Sequence, residues 1–594
     1  MAAAADVPDA LLRARRALDG FGEIRIVQDW HLDVEGWLLR VDLTPGDLGS
    51  VFPIPTTTPW YVVAQPRYPA GSISIVPASD GGVIETFPHQ IPNLPALRDR
   101  PYRRGKICVA TDSEGNLRSD RDVEPATADE RLAWHMDRAL GWIRRASCGT
   151  LLVDGDWFEL PFYRDGVGLM AFREGPETFA AWKDIPDTAG FADVVGLAPS
   201  GFRVVTAFRS LDRRVVLRPE WGQAVVGAEQ ARAMWLRFPK VVSLPPYQAP
   251  RTFGDLRTVA ADQGVDLDHL LRDGTAGFHD RADHMLLVGF AVAVRIGEPD
   301  RQMHWQAIDL PRLDRKVING FRPNAMGYWL TSSRGTLASD AAVEWMASEN
   351  WHPDQLATRG RLDESLASRR VVLIGAGALG SMIGELLVRA GVCDITIIDH
   401  DVVAAGNLVR HTLTLTDVGS NKSEALARRL ADISPSVRAF AVTDAFPGGT
   451  IDPRVLSADL IIDTTGEHSV LEAMAEAEWT AEPTFASFAI SMHARRLFAF
   501  LSRTTRFDLA AFDTAYEPFG KEEHDRDEER PWEGVGCWHP VFPARADEMW
   551  LMAAAAVGLL DDAWPISAGR STLHVFERDK DRAGRFVGVK KIAP

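Results

Sequence analysis

Two kinds of residue in this chain could do chemistry: a glycine-rich nucleotide loop with its polar followers, and a pair of unusually placed cysteines. The run Gly375-Ala-Gly377-Ala378-Leu-Gly380 allows a tight turn and lets backbone N–H groups at a helix N-terminus approach phosphates. Alone, such a loop serves dehydrogenases, methyltransferases and plain structural turns. Asp399 ends the apolar run Ile395-Thr-Ile-Ile, where a carboxylate can bind ribose hydroxyls, and so far the pattern is that of a dehydrogenase. Cys537 stands in Trp532-Glu-Gly-Val-Gly536-Cys537-Trp-His-Pro540, a Gly- and Pro-rich turn shortly before an apolar helix. Filler cysteines sit within apolar periodicity, whereas a polar-flanked turn before a helix favours an exposed, reactive thiolate. Cys108 follows Arg103, Arg104 and Lys106, whose charge would also favour thiolate. Cys148 and Cys393 lie in no motif and read as packing residues, and His135 reads as structural.

The elements that must position these groups fall into three regions, 1–164, 165–350 and 351–594. The first is α+β: a helical pattern over Ala10–Leu18, β-prone pieces at Trp37–Val41, Trp60–Ala64 and Ser72–Val76, and a helix over Ala128–Ala146. Thr127 with Glu130 three residues on has the form of a capping box for that helix, and Thr150–Trp157 reads as a strand and a turn. The middle region has β-prone runs at Arg203–Ala207, Arg214–Leu217 and Met285–Val294, and no catalytic signature. From about 351, strands and helices alternate regularly, the mark of a parallel sheet with crossover helices. Arg370–Ile374 leads into the glycine loop, and Phe519–Arg530, charged and punctuated by glycine, reads as a mobile loop. The fold class is multi-domain α/β.

The chain has 594 residues, 46% apolar and 25% charged, enough for two to four cores. A net charge of −17 argues against a broad nucleic-acid or anionic-membrane surface. Four cysteines in so long a chain form neither a disulfide framework nor a paired zinc knuckle. Asp6 and Asp9 stand where a signal peptide needs basic then apolar residues, and no apolar run approaches the roughly 20 residues of a membrane span. A soluble, cytoplasmic protein is expected.

Past Asp399 the sequence departs from any dehydrogenase. Asp399-His-Asp401-Val-Val-Ala-Ala-Gly406-Asn407-Leu-Val-Arg410-His411 resembles the D-x-D-x-V-x-x-S-N-L-x-R-Q signature of the ThiF/MoeB and ubiquitin-activating enzymes, and Val418-Gly-Ser-Asn421-Lys422 resembles that family's G-x-x-K element. The resemblance implies a Rossmann-like adenylation domain that binds ATP and Mg²⁺. Asp399 would hold the ribose and Asn407, Arg410 and Lys422 the triphosphate, with Asp401 a further nucleotide-binding residue. Such convergence suits charge building on the α-phosphoryl group as a carboxylate attacks it. Gly406 and His411 stand where the family has Ser and Gln. Gly466 replaces the family's metal-site Asp, which leaves Asp463 or Glu467 as the candidate metal ligand, and Arg359 or Arg361 as candidates for an absent arginine finger. Cys537 falls where ubiquitin-activating enzymes carry the thiol that forms a thioester.

The order Tyr68-Pro69, Pro88-His89-Gln90, then Gly105-Lys-Ile107-Cys108 resembles ubiquitin-conjugating enzymes, with the H-P-N segment degraded and Asn93 as the candidate oxyanion donor. A conjugating-like region (1–164), a linker (165–350) and an activating region (351–594) in one chain resemble the bacterial fusion proteins of CBASS antiviral operons. That implies activation of a carrier protein's C-terminus, the carrier being a cGAS/DncV-like nucleotidyltransferase. Thioester formation on Cys537, transfer to Cys108, conjugation to a target lysine, and homodimers are implied too. An adenylyltransferase for a sulfur-carrier protein and an inactive scaffold are the rival readings.

Overall fold

The computed structural model describes residues 6–97, 100–109, 124–163, 168–197, 201–225, 229–275, 278, 284–313, 320, 322–448, 451–480, 482–525, 532–533, 539–540 and 542–593. It forms two compact units, one of residues 1–219 and 229–350, the other of residues 220–228 and 351–594.

The first unit begins with an antiparallel meander, β1 (Ile24–Asp33), β2 (Gly36–Leu43), β3 (Thr58–Ala64) and β4 (Ile73–Pro77). Alternation sends Trp37, Leu39, Val41, Trp60, Val62, Ile73 and Ile75 to one face, where helices Asp9–Ala17 and Ala128–Cys148 cover them with Leu11, Leu132, Met136, Leu140 and Ile143. The longer helix stops at Gly149, whose φ of +69° lies in the left-handed region that favours glycine. Its start differs from the predicted capping box: the Thr127 hydroxyl donates to the Glu130 carboxylate at 2.6 Å and caps no helix N–H. The strand expected within Thr150–Trp157 does not form; a turn stands there, with one bridge from Trp157 to Arg295.

The rest of this unit is a nine-stranded mixed sheet of β5 (Leu169–Phe172), β6 (Ala189–Leu197), β7 (Phe202–Ser210), β8 (Val215–Leu217), β9 (Glu229–Arg237), β10 (His284–Val292), β11 (Gln302–Leu310), β12 (Glu344–Trp345) and β13 (Ala347–Asn350). The main path runs β12-β11-β10-β9-β6-β7-β5-β13. Along β9, Met234 and Leu236 face helices Phe253–Asp262 and Leu267–Thr275, while Trp235 faces Trp182 and Trp305 on the other side. Both faces are therefore buried, which explains the near-continuous apolar run of β10.

The second unit holds an eight-stranded sheet ordered β16-β15-β14-β17-β18-β19-β22-β23: β14 (Arg370–Ile374), β15 (Asp394–Ile398), β16 (Arg438–Val442), β17 (Leu460–Asp463), β18 (Thr484–Ile490), β19 (Arg496–Arg503), β22 (Ser571–Lys580) and β23 (Phe586–Ala593), with a separate short pair, β20 (Trp532–Glu533) and β21 (His539–Pro540). The five strands from β16 to β18 are parallel and the last three antiparallel. Val371 and Leu373 of β14 pack toward helices Ala378–Arg389, Lys422–Ala431 and Ala546–Ala563, and Val372 and Ile374 pack toward His468–Glu476 and Leu509–Asp525. Sequence order reverses direction at β14, between β15 and β17. That switch point leaves a crevice beyond the strands' carboxyl ends.

Two features of this unit differ from expectation. Phe519–Asp525, expected in a mobile loop, completes the helix Leu509–Asp525, and residues 526–530 lie outside those described. Residues 220–225, from the middle of the sequence, lie along the β16 edge: Gly222 N–H donates to Pro435 at 2.7 Å and Gln223 N–H to Val437 at 3.1 Å. These bonds fall just before β16, and the Gln223 side chain accepts from Ala439 N–H of the strand at 3.1 Å, so a backbone group of an edge strand otherwise open to pairing is occupied.

Candidate functional site

The crevice at the switch point opens into a cavity of about 660 Å³. Of the residues expected to bind nucleotide, Gly377, Ala378, Asn407, Arg410 and Lys422 line it, together with Thr464, Thr465 and Gly466 from the turn after β17. The three loop glycines have different reasons to be glycine. Gly375 has φ +93°, in the left-handed region. A Cβ on Gly380 would lie 2.0 Å from the Gly375 carbonyl, so that glycine permits close packing of helix on strand. A Cβ on Gly377 would meet nothing within 4 Å, so no packing contact in the fold demands glycine there.

Asp399 holds the loop in shape. Its carboxylate accepts from Ala376 N–H at 2.7 Å and Asp401 N–H at 2.8 Å. His411 pins the same loop from the other side: its Nδ1 accepts from Leu413 N–H at 3.2 Å, so Nε2 carries the hydrogen and donates to the Ala376 carbonyl at 2.6 Å. Burial pushes this imidazole toward its neutral form. Asn421 caps the helix Lys422–Ala431 by accepting from Ser423 and Glu424 N–H. That cap sets Lys422 at the first turn, where Nζ sits 2.8 Å from Asp401, and this hydrogen bond holds the Asp401 carboxyl below its usual range. Asn407 accepts from Ala404 N–H at 2.9 Å, and Arg410 donates to the Phe542 carbonyl at the cavity wall. The remaining wall is largely apolar: Phe488, Ile490, Met492, Phe498, Phe542 and Met549.

Asp463 is not brought to this cavity. It is 1% exposed; its oxygens accept from Thr465 N–H (3.0 Å), Thr465 Oγ1 (2.7 Å) and Ser487 Oγ (2.8 Å), and burial raises its carboxyl's pKa. Among the described residues lining the cavity the carboxylate is Glu523, which is paired with Arg495 and Arg496. These groups do not fit a magnesium ion held by the protein as they stand. The Arg495–Arg496 pair was not singled out from sequence; Arg496, 6% exposed, bonds Glu522, Glu523 and Glu577, partners that lie on other elements and leave no local pattern. Arg361 is committed to Asp354 at 2.5 Å and does not line the cavity. Cys537 lies outside the described residues.

Cys108 is exposed and lines a second cavity, of about 540 Å³, in the first unit. Its backbone N–H donates to the His89 carbonyl at 2.8 Å, and a bridge pairs Gln90 with Ile107. The expected oxyanion role of Asn93 does not fit its placement: it is fully buried, donates to the Val83 and Glu85 carbonyls at 2.7 and 2.9 Å, and accepts from Arg103 at 2.9 Å. It is a structural tie for the turn. The cavity also takes Glu159, Leu160 and Phe162, from the end of the first region, and Tyr247, from the middle one, which sequence spacing could not associate with Cys108. His135 is buried against Glu124 at 2.6 Å. Cys148, expected to be packed, is exposed at its helix end, and Cys393 is half-buried.

A doubly wound sheet whose switch point carries this loop, Asn407, Arg410 and Lys422 defines the second unit as a ThiF-type domain, and residues 353–480 match the ThiF family. Residues 149–351 match the Cap2 central linker domain, so the protein is a multi-domain α/β chain with a central Cap2 linker and a ThiF domain. It is 33% identical over 561 residues to the ATP-dependent ubiquitin transferase-like protein Cap2 of Enterobacter hormaechei subsp. hoffmannii (strain UCI 50), covering 92% of this chain and 93% of that one. The chain belongs to the Cap2 family of ubiquitin transferase-like proteins. The Cap2 of Pseudomonas aeruginosa (strain BWHPSA011 / Pa011) is 33% identical over 111 residues, 18% of this chain and 20% of that one. The molybdopterin-synthase adenylyltransferase of Salmonella typhimurium is 31% identical over 131 residues, 22% of this chain and 53% of its own. Among the described residues no helix is long and apolar enough to cross a membrane.

Proposed function

We propose that this protein uses ATP to adenylate the C-terminal carboxylate of a carrier protein and passes the acyl group through Cys537 and Cys108 to a target lysine. The observation that carries this reading is the meeting of Gly377, Asn407, Arg410 and Lys422 on one cavity that also has a long apolar wall. A carboxylate does not acylate amines at neutral pH, so ATP must first convert it to an acyl-adenylate with loss of pyrophosphate. The open space at Gly377 admits phosphate oxygens against the loop's backbone N–H groups. Arg410, Asn407 and Lys422 meet the charge on the phosphates, with Lys422 exchanging Asp401 for a phosphate oxygen. Asp399 fixes the loop beside the ribose. The apolar wall takes the carrier's tail. Magnesium arrives with ATP, and Asp463 would have to release Thr465 or Ser487 to touch it.

Residues 1–164 then act as the ubiquitin-conjugating-like domain, 165–350 as the linker, and 351–594 as the adenylation domain with its catalytic cysteine. Cys537 attacks the adenylate, AMP leaves, and Cys108 takes the acyl group by thiol exchange. We read the carrier as a cGAS/DncV-like nucleotidyltransferase in CBASS antiviral defence, acting in the cytoplasm. The exposed Val402, Val409, Leu415 and Val418 offer apolar surface for a homodimer. A sulfur-carrier adenylyltransferase would use the same nucleotide cavity but leave Cys108 idle; an exposed thiol lining its own cavity favours the relay. The test is exchange of labelled pyrophosphate into ATP in the presence of the carrier. Exchange that Arg410→Ala abolishes supports adenylation, and a wild type without exchange refutes it.

A further inference from the structure

The cavity at Cys108 lacks the amide expected to act there, and it contains an acid–base pair instead. His89 Nδ1 is 3.2 Å from Glu159 Oε2, and the same oxygen accepts from the His89 backbone N–H at 3.0 Å. Glu159 is itself fixed, because the Tyr247 hydroxyl donates to its backbone carbonyl. His89 has φ +54°, a left-handed conformation that residues other than glycine seldom adopt. Its carbonyl accepts the Cys108 N–H, and the neighbouring Gln90–Ile107 bridge holds the turn in that conformation. His89, Glu159 and Cys108 all line the one cavity. Strain held at such a place is an observed outlier that calls for a functional reading. With Nδ1–H directed to a carboxylate, Nε2 is the ring's basic nitrogen. Among the described residues the other titratable or charged groups lining this cavity are Lys106 and Tyr247.

We propose that His89 is the general base that removes the proton from the incoming lysine, and that Glu159 is its positioning residue; this rests on Cys108 carrying the thioester. At pH 7 only roughly one lysine amine in 2,500 is neutral. His89 Nε2 takes one proton from the lysine ammonium and releases it to solvent, leaving a neutral amine with a free electron pair. That nitrogen attacks the thioester carbonyl and forms the C–N bond, the C–S bond breaks, and Cys108 leaves as thiolate, which takes the second proton from the nitrogen. The products are an amide, a free thiol and one proton in solvent, and the histidine is restored. Glu159 stabilises the transient imidazolium from the Nδ1 side. The carboxylate of the pair comes from the region matching the Cap2 linker, so the conjugating cysteine depends on a residue outside its own meander.

The experiment charges the full-length protein with carrier and ATP, removes ATP, and follows loss of the Cys108 thioester to free lysine or to hydroxylamine. Hydroxylamine is already neutral at pH 7 and needs no base. His89→Gln is expected to charge normally and to discharge to lysine roughly 10²-fold more slowly at pH 7. It should discharge to hydroxylamine at the wild-type rate and approach wild type with lysine near pH 10. Glu159→Gln should show the same selective defect with a smaller factor. A normal lysine rate in His89→Gln, or equal losses with both amines, overturns the base. A wild type that forms no thiol-reversible adduct on Cys108 overturns the reading beneath it as well, and charging by each variant serves as the check that it has folded.

Discussion

Alanine at Gly377 and at Gly380 should separate two demands made by one loop. At Gly380 the new Cβ would stand 2.0 Å from the Gly375 carbonyl oxygen and 2.5 Å from Thr464 Oγ1. Relief requires the helix Ala378–Arg389 to move more than about 1 Å off the sheet, an overpacking that costs about 1–3 kcal/mol. For a unit of this size that lowers the melting temperature by roughly 3–10 °C. At Gly377 the Cβ meets nothing, and φ −74° with ψ −163° is open to alanine, so the melting temperature should stay put. The added methyl does occupy the space assigned to phosphate oxygens, and carrier-dependent pyrophosphate exchange should fall at least tenfold, about 1.4 kcal/mol. Both variants are measured by scanning calorimetry and by the exchange assay. Full exchange activity in Gly377→Ala would refute the placing of the phosphates at this loop.

Two further predictions concern buried charge. Glu174 accepts from the Trp182 and Trp305 indole N–H groups at 2.8 Å each, and burial pushes its pKa from the ordinary 4.5 to about 7. Because the folded state holds the proton more tightly, stability should fall by roughly 3 kcal/mol as pH rises from about 4.5 to 7. Glu174→Gln should flatten that slope in urea titrations across this range, and an unchanged slope would contradict the assignment. Arg496→Met would leave Glu522 and Glu577, both partly open to solvent, without this partner and should cost about 1–3 kcal/mol in the second unit. A loss below about 1 kcal/mol would show the network to be dispensable.

What the sequence made legible was local. The glycine loop, the Asp399 strand end, the polar cap at Asn421 and the helix after residue 545 each carry their signal within a few residues, and each forms. What escaped depends on contacts between distant positions. The Thr127–Glu130 spacing fits a capping box, yet the hydroxyl turns to the carboxylate instead of a helix N–H. Asn93 stands near the motif order of a conjugating site, but burial and Arg103 spend its amide on structure. Phe519–Asp525 has loop-like composition, and the Glu522 and Glu523 pairs with Arg495 and Arg496 help hold it as helix. Residues 220–225 join the β16 edge through Gly222, where a Cβ would lie 2.2 Å from the Val437 carbonyl, and through the Gln223 side chain, contacts whose partners lie more than 200 positions away. Glu159 meets His89 across 70 positions of sequence, a distance over which spacing carries no information.

The central claim is the relay between two cysteines, and adduct trapping tests it most directly. Wild type, Cys537→Ala and Cys108→Ala are each incubated with ATP, Mg²⁺ and the carrier, and thiol-reversible adducts are mapped by mass spectrometry. The account predicts no adduct at either position in Cys537→Ala and an adduct halted at Cys537 in Cys108→Ala. An adduct on Cys108 in the Cys537→Ala protein would contradict it.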